Sequence, residues 1–246
     1  MAKQKQEMLF GIRATMEAIR SGKEIEKVLI RKGLTGRLYQ DLFDLIRDES
    51  IEYQFVPAEK INSLNQKNNQ GVVTLIAPIA YQEVEDVVPQ IMAEGRTPLI
   101  LILDQITDVR NFGAIARSAE CAGVDAIIIP FKNSAKITPD SIKTSAGALY
   151  QIPVCRVQNL KTLVRNLKKE GIRIVASTEK AENYYTDADL TLATAIIMGS
   201  EDTGIDEALL RLADEKVKVP ILGQIDSLNV SVAASLMVYE AVRQRK

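Results

Sequence analysis

The sequence predicts an α/β protein with two units: a doubly wound domain on a mostly parallel sheet, and a smaller α/β unit before it. From residue 99 onward, short apolar runs alternate with segments of helical periodicity, which is the pattern of β-α-β units. The runs at 99–103 and 126–129 are continuous, as expected of strands covered on both faces. Glu, Asp, Pro and Gly interrupt the pattern over 78–97. The predicted domains are therefore 1–77 and 98–246, with 78–97 as the linker.

The first unit is predicted to alternate helices and strands. Ile12, Met16 and Ile19 recur with helical spacing, whereas residues 51–56 alternate between apolar and polar types, as a half-buried strand does. Apolar residues in the linker also allow a helix there. The predicted elements are a helix at 11–21, a strand at 28–30, a helix at 38–46, a strand at 51–56, a short helix at 60–64 and a strand at 71–77.

The second unit continues this alternation to the end of the chain. The predicted elements are a strand at 99–103, helix 112–122, strand 126–129, helix 139–148, strand 152–157, helix 160–170, strands 172–177 and 195–198, helix 206–213, strand 217–219 and a final helix at 229–245. In such a fold a ligand binds outside the carboxyl ends of the strands. The turns that follow the strands are therefore the places to look for a site.

Composition excludes several classes of protein. The apolar runs are too short to span a bilayer, and residues 1–6 are polar with no apolar signal core behind them, which predicts a cytoplasmic protein without a membrane partner. The chain has no histidine and only two cysteines. Ser-His-Asp and Cys-His nucleophiles and an ordinary structural zinc site are thereby excluded, and no metal is expected. Chemistry must depend on Arg, Glu, Asn, Ser, Lys or Tyr.

Two glycine-rich turns follow apolar strands near the end of the chain. The first runs from Gly199 to Gly204, and the second contains Gly223 and the polar series Ser227, Asn229 and Ser231. Glycine lets the main chain approach a ligand closely, so two such turns side by side predict a pocket that suits an adenine-bearing cofactor. Taken alone, the first turn also fits a helix capping box over 203–206. The second carries more polar groups than a cap requires.

The first β-α turn of the second unit supplies Asn111 and Arg117. Asn111 is a natural N-cap for the following helix, and Arg117 could be a surface residue. Both should nevertheless emerge at the carboxyl edge of the sheet, beside the glycine turns. None of these turns matches the glycine fingerprint of dinucleotide-binding proteins, so the hypothesis of a nicotinamide oxidoreductase is rejected. None matches the phosphate-binding loop either, which disfavours a nucleotide-phosphate enzyme.

Positive charge is concentrated in one segment although the formal net charge is −1. Residues 132–180 contain ten Lys or Arg against three Asp or Glu. Such a segment is either a solvated helix face or a place where a phosphate backbone lies. On the second interpretation, Lys132, Lys136 and Lys143 are the predicted RNA contacts, together with Arg117.

Three ordered motifs carry a family resemblance. Asn111-x-Gly113-x-x-x-Arg117, Gly199-x-Glu201-x-x-Gly204 and Ser227-Leu228-Asn229-Val230-Ser231-x-Ala233 resemble, in order and separation, the motifs of the SpoU/TrmH family of RNA ribose 2′-O-methyltransferases, which belongs to the SPOUT superfamily. The resemblance covers about 97–246. The N-terminal unit is similar to the ribosomal-protein-like RNA substrate-binding domain of the 23S rRNA (guanosine-2′-O-)methyltransferases, where many relatives carry a His at the position of Asn69.

The resemblance implies a deep trefoil knot that holds S-adenosylmethionine, although knots are nearly absent among folds. Carried over by position, the cofactor contacts are Gly199, Gly204, Val219, Ile221 and Leu228, mainly through backbone. The implied reactive centre comprises Asn111, Arg117, Glu201, Ser227 and Asn229. Family members are homodimers that share the site between protomers, with the final helix at the interface.

The implied reaction is transfer of a methyl group to a ribose 2′-oxygen of structured RNA. A guanidinium with a pKa of about 12.5 is a poor base, so Arg117 is expected to hold a phosphate and stabilise the developing alkoxide, while Glu201 and Asn229 position the groups. The favoured substrate is 23S rRNA, because tRNA-specific relatives generally carry short helical extensions instead of this N-terminal domain. A tRNA guanosine methyltransferase and a catalytically inactive RNA-binding module are the alternatives.

Overall fold

A computed structural model describes residues 7–64 and 69–246. The polar residues 1–6, on which the expected absence of a signal segment rests, lie outside the described part. The chain divides into two units, the first ending at Ala80, with Ile137–Pro139 assigned to it, and the second comprising the remainder. Within the described ranges, no helix combines the length and apolarity needed to cross a membrane.

The N-terminal unit is a four-stranded sheet with helices on both faces. Its elements are β1 (Met8–Phe10), α1 (Ile12–Arg20), β2 (Ile25–Arg31), α2 (Arg37–Asp48), β3 (Tyr53–Val56), α3 (Ala58–Leu64) and β4 (Val72–Ile76). The strand order is β1-β4-β2-β3, with β2 antiparallel to β4 and parallel to β3. Val28 and Ile30 of β2 pack with α1 and α2, whereas Leu29 packs with α3 on the opposite face. This alternation follows from the two-residue period of a strand.

The second unit is a seven-stranded sheet in which every pairing is parallel. Its elements are α4 (Val84–Ala93), β5 (Leu99–Leu103), α5 (Val109–Cys121), β6 (Ala126–Pro130), α6 (Pro139–Thr144), a 3₁₀ helix (Ala148–Tyr150), β7 (Val154–Val157), α7 (Leu160–Lys169), β8 (Arg173–Ser177), β9 (Asn183–Tyr184), β10 (Thr194–Met198), α8 (Glu207–Leu210), β11 (Glu215–Lys218) and α9 (Val230–Arg245). The strand order is β7-β6-β5-β10-β8-β11-β9.

This strand order brings distant turns together. β10 lies between β5 and β8, and both of its pairings are parallel, so the carboxyl ends of the three strands share one edge of the sheet. After β11 on the far side of β8, the chain returns to pack α9 against α5. The turns after β5, β8 and β10 and the start of α9 therefore meet at that edge, which is where a doubly wound sheet places its ligand.

The predicted linker contains a helix that belongs to the second unit. Val84, Val87, Val88 and Ile91 on one face of α4 are buried in the same core cluster as β5 and α7. The two units therefore divide near the start of 78–97, and most of that segment is packed structure. Two short strands, β1 and β9, do not appear among the predicted elements, and α8 is shorter than the helix predicted at 206–213.

Candidate active site

The N-terminus of α5 is capped by Asp108 and not by Asn111. The Asp108 carboxylate accepts hydrogen bonds from the backbone N–H groups of Arg110 at 2.9 Å and Asn111 at 2.7 Å. The prediction of Asn111 as the cap is therefore wrong, because the helix begins three residues earlier than the apolar pattern indicated. Since the cap is supplied elsewhere, the Asn111 amide is available to the site.

Glu201 is the centre of a hydrogen-bond network that joins three of the predicted residues. Its Oε1 accepts from Asn111 Nδ2 at 3.2 Å, Asn229 Nδ2 at 2.7 Å and the backbone N–H of Val230 at 3.1 Å. Asn229 Nδ2 also lies 3.0 Å from Asn111 Oδ1. Residues separated by 90 and 118 positions in the chain are thereby fixed against one another. We call this the amide–carboxylate network.

Asn229 combines two tasks at the start of α9. Its Oδ1 accepts from the backbone N–H of Ser231 at 2.9 Å, which makes it the N-cap, while its Nδ2 donates into the network. At the other turn, Asp206 and not Thr203 caps α8, through a 2.8 Å bond from Ala208 N. The capping-box alternative for 203–206 therefore does not describe the first glycine turn, and Thr203 instead bonds within the turn to Ser200.

A cleft that is open to solvent lies beside the network. It contains all five predicted cofactor contacts, and Ser227 and Glu201 as well. Its lining residues are Ser177, Thr178, Glu179, Met198, Gly199, Ser200, Glu201, Gly204, Ile205, Val219, Ile221, Ser227, Leu228, Val230 and Ala233. No Lys or Arg is among them. The sequence reasoning missed 177–179, although polar residues directly after a predicted strand would have indicated them.

Gly199 is required by the packing of its own turn. A Cβ atom at this position would lie 2.2 Å from the Gly204 carbonyl carbon and 2.4 Å from the Ile205 nitrogen. Gly204 has a left-handed φ of 68°, which favours glycine. By contrast, a Cβ on Gly223 would meet nothing within 4 Å. The first turn is thus tightly folded, whereas the second leaves open space at its glycine.

Asp104 ties the first glycine turn to β5, and the sequence reasoning did not single it out. Its backbone N–H donates to Met198 O at 2.8 Å, and its Oδ2 accepts from the backbone N–H of Asp206 at 2.8 Å. Burial raises the pKa of the Asp104 carboxyl, and the bond from Asp206 opposes that rise. A lone Asp after a strand carries no distinctive sequence signal.

Arg117 lies outside the amide–carboxylate network. It is exposed on α5, and its side chain makes no hydrogen bond or ion pair with any residue in 7–64 or 69–246. Six residues of helix place it about 9 Å along the axis from Asn111 and about 120° around it. Gly113, one turn earlier on the Arg117 face, packs against α6, where an added Cβ would lie 2.8 Å from Ser141 O. Within one protomer, Arg117 therefore makes no hydrogen bond or ion pair with the other predicted catalytic residues.

The basic segment is partly neutralised. Three of its cations pair across the fold: Lys161 with Asp206 at 3.3 Å, Lys168 with Asp214 at 2.6 Å and Arg173 with Glu215 at 2.7 Å. Lys136 is half-buried and has an interaction partner. The side chains of Lys132 and Lys143 are exposed and have no partner in the described chain. Exposed cations without a partner among the described residues therefore lie after β6, on α6, on α7 (Arg165 and Lys169) and after β8 (Lys180).

Two family models match the chain, one for each unit. Residues 98–239 match the SpoU rRNA Methylase family, and residues 8–82 match the family described as RNA 2′-O ribose methyltransferase substrate binding. The first match alone spans more than half of the chain. The chain belongs to the SpoU methylase family. It is therefore an RNA methyltransferase of the SpoU/TrmH type, as the three motifs predicted.

The relatives of this SpoU methylase extend over its whole length. A protein named as a member of the TrmH family of tRNA/rRNA methyltransferases from Staphylococcus saprophyticus is 37% identical over 238 residues, which cover 97% of this chain and 96% of that protein. The corresponding Staphylococcus epidermidis protein is 35% identical over the same coverage. Both units are thus present in the relatives.

Solved structures confirm the predicted fold class. The SpoU methyltransferase AviRb from Streptomyces viridochromogenes, crystallised with AdoMet, is 25% identical with a TM-score of 0.61 and covers 98% of this chain and 90% of that chain. A structure described as an RNA 2′-O ribose methyltransferase is 27% identical with a TM-score of 0.57 over 98% of this chain and 90% of that chain. The SpoU methylase thus has a mostly parallel α/β domain and a smaller N-terminal substrate-binding domain. No group of three or more described His, Cys, Asp or Glu residues could hold a metal ion.

Proposed function

We propose that this protein transfers a methyl group from S-adenosylmethionine to the ribose 2′-oxygen of a guanosine in 23S rRNA. The observation that carries the proposal is the amide–carboxylate network at the mouth of a glycine-walled cleft, in a chain of the SpoU family. Residues 1–77 are the proposed RNA-binding domain and 98–246 the methyltransferase domain. The AdoMet complex of AviRb supports the cofactor, and the name of the second structural neighbour supports 2′-O transfer. An rRNA substrate implies a cytoplasmic enzyme.

The cleft fits this cofactor in shape and charge. Backbone at Gly199 and Gly204, with the apolar side chains of Val219, Ile221 and Leu228, forms a surface for an adenine ring and its ribose. Glu179 and Glu201 are the charged lining residues, which favours a ligand with sulfonium and ammonium groups. S-adenosylmethionine supplies an electrophilic methyl group when bound.

The hydrogen-bond inventory of the network identifies the groups left for the substrate. Asn229 is saturated, since its Oδ1 caps α9 and its Nδ2 donates to Asn111 and Glu201. Asn111 Nδ2 uses one of its two protons on Glu201, and Glu201 Oε2 accepts no bond from a described residue. These two groups can orient a ribose hydroxyl for in-line attack, with the carboxylate accepting its hydrogen bond. Ser227 lies on the cleft side, where it can contact either ligand.

Arg117 is proposed to complete the site of a second protomer in a homodimer. α9 exposes Val232 (48%), Leu236 (36%) and Tyr239 (49%), which follow helical i, i+4, i+7 spacing and form an apolar stripe suited to a second copy. Met237, next to Leu236 in the sequence, is fully buried within the protomer and so does not belong to this stripe. In the dimer, the partner's Arg117 would stabilise the developing alkoxide, and Lys132 and Lys143 would hold phosphates.

Mixed dimers test this arrangement. Arg117→Ala and Glu201→Gln proteins, each strongly impaired alone, are unfolded, mixed in equal amounts and refolded together. If the site is shared, half of the sites in each mixed dimer are intact, so about a quarter of wild-type activity returns. Absence of recovery, with dimers verified by mass, would place Arg117 and Glu201 in the same protomer.

The substrate is tested by ribose-methylation mapping of total RNA from cells with and without the gene, followed by methyl transfer in vitro to unmodified 23S rRNA and tRNA. We expect one guanosine of 23S rRNA to lose its mark. Loss of a tRNA mark would instead establish tRNA as the substrate. The structure of the A. aeolicus TrmH/SpoU tRNA modifying enzyme supports this alternative. It is 30% identical with a TM-score of 0.57 and covers 61% of this chain and 76% of that chain. S-adenosylmethionine binding by calorimetry separates both from an inactive RNA-binding module.

A further inference from the structure

Four aromatic side chains form a cluster on the N-terminal unit. Phe43 of α2 lies at the centre, with its ring centroid 5.8 Å from that of Tyr39, 5.1 Å from Tyr53 and 6.1 Å from Phe55. Tyr53 and Phe55 lie 5.6 Å apart in an edge-to-face arrangement. Such pairs hold aromatic rings in fixed orientations. We call this the aromatic cluster.

The cluster is exposed at the edge of the sheet. β3 is an edge strand, and Tyr53 and Phe55 pair in register with Val28 and Ile30, whose side chains lie in the α1–α2 core. Tyr53 and Phe55 lie on the same face of the sheet, one strand further toward its edge. Their solvent-exposed fractions are 39% for Tyr53 and 42% for Phe55. Val56, on the opposite face of the same strand, is buried. The strand thus presents two rings to solvent, and adjacent exposed apolar groups of this kind mark interaction surfaces.

Two cations without a partner among the described residues neighbour the aromatic cluster, Lys32 through its backbone pairing and Arg47 through its helical spacing. Lys32 donates its backbone N–H to Val56 O at 2.9 Å, directly beside Phe55. Arg47 follows Phe43 by four residues on α2 and so lies next to it on the helix surface. Neither cation pairs with a described residue, whereas Glu52 beside Tyr53 pairs with Lys27 at 2.8 Å. Rings flanked by free cations match unstacked bases on a phosphate backbone.

We propose that the aromatic cluster is a stacking platform for unpaired nucleotides of the RNA substrate, with bases on Tyr53 and Phe55 and phosphates at Lys32 and Arg47. The proposal rests on the proposed function, because it assigns the first unit's part in recognising that RNA. The match of residues 8–82 to a substrate-binding family supports RNA over a protein partner. Recognition by stacking selects single-stranded loops over duplex, since only splayed bases offer their faces.

Binding of a short fluorescein-labelled oligouridylate, compared with an RNA duplex of equal length, tests the platform. Stacking is worth roughly 1–3 kcal/mol per base, so Phe55→Ala should weaken single-strand affinity roughly 5- to 150-fold. Phe55→Leu should weaken it similarly, because it keeps apolar volume without a π-face, whereas Phe55→Tyr should retain it. Gln54→Ala, on the other face of the same strand, is the matched control, and thermal unfolding checks that every variant is folded.

A second readout follows the ring itself. The chain has no tryptophan, so Phe55→Trp introduces a single fluorescent reporter. Its emission should fall when oligouridylate stacks on the indole ring. In kinetic assays, Phe55→Ala should raise the KM for 23S rRNA more than it lowers kcat. Wild-type affinity in both Phe55→Ala and Phe55→Leu would overturn the platform, as would a shift of those variants from dimer to monomer. Because oligouridylate binding needs no cofactor, failure of methyl transfer by the wild type would instead count against the proposed function.

Discussion

The cofactor side and the RNA side of the proposed site are built in opposite ways. On the cofactor side, Gly199 packs against the Gly204 backbone, Asp104 holds the same turn, and Glu201 accepts three hydrogen bonds. On the RNA side, the side chains of Arg117, Lys132 and Lys143 are exposed and have no partner in the described chain. One side is held by internal bonds, and the other consists of free cations.

This difference indicates that the cofactor binds to a preformed surface, whereas the RNA-side cations become ordered only on binding. The first glycine turn loses little conformational entropy on binding because it is already fixed, and a preformed surface gains affinity for that reason. Long cationic side chains lose rotamer freedom only when a phosphate or a second protomer holds them. Substitutions on the two sides should therefore differ in kind: structural damage on one, and loss of reactivity or salt-dependent binding on the other.

The largest effect is expected from Arg117→Ala. Loss of a group that stabilises developing charge costs about 10²–10³ in kcat, while calorimetric affinity for S-adenosylmethionine and the melting temperature should stay near wild type. Arg117→Lys should recover little, because an ammonium does not reproduce the planar fork of the guanidinium. Arg165→Ala, an exposed arginine on α7, is the control. Substantial single-turnover activity in Arg117→Ala would contradict the comparison.

Two substitutions of Glu201 distinguish loss of activity from loss of stability. Glu201→Gln keeps an acceptor at Oε1 but loses the charge, so we expect activity to fall at least tenfold with little change in stability. Glu201→Ala also leaves two asparagine amides and the start of α9 without their acceptor, which should cost about 1–2 kcal/mol of unfolding free energy at this exposed position. Chemical denaturation of both variants, with neighbouring Asp202→Asn as the control, measures the split. Equal destabilisation by Gln and Ala would show that the network is held by charge alone.

A matched pair of glycines tests the rigidity of the cofactor side. Gly199→Ala places a methyl group 2.2 Å from backbone, so the turn must shift, and affinity for S-adenosylmethionine should fall about tenfold. Gly223→Ala should change that affinity little, because its Cβ meets nothing within 4 Å. Wild-type binding by Gly199→Ala would move the cofactor away from this turn.

The smallest effect is expected on salt dependence. Reversing Lys132 and Lys143 to Glu should lower the slope of log affinity for RNA against log salt by roughly 0.7–0.9 for each phosphate that the protein no longer neutralises. The modified nucleotide should stay the same. Lys161→Glu is the comparison, since that lysine pairs with Asp206. An unchanged slope in the double reversal would remove these lysines from the RNA path.

Local pattern predicted most elements of the fold but not their arrangement. The continuous run of β5 and the amphipathic α7 match within a residue of their predicted bounds, because burial on one or both faces determines both. β9 has two residues and leaves no periodicity. The place of β10 between β5 and β8 depends on long-range packing, so local pattern could not predict the strand order. The segment of α4 was assigned to a linker because Pro89 and acidic residues interrupt it, although its apolar residues allowed a helix.

For the site, the glycine turns and the family motifs named residues that the structure brings together, but they did not indicate features set by three-dimensional packing. Asn111, Glu201 and Asn229 were named from sequence, and their hydrogen bonds are now visible. The cap at Asp108 was missed because helix starts are set by side-chain geometry more than by apolar period. The offset of Arg117 from Asn111 follows from helix geometry, because both residues lie within α5. The aromatic cluster combines residues of α2 and β3 that no linear motif joins.

The docking of α9 has a consequence for the order in which the protein folds. Arg245 donates to the carbonyl oxygens of Thr97, Pro98, Leu190 and Leu192, so it fastens α9 to the segments before β5 and β10. Ser227 and Leu228 line the cleft and Asn229 joins its network, and all three follow the last strand, β11. The seven strands can therefore pair before the cleft exists. The cleft is complete only when α9 has docked and its first turn has met the glycine turns.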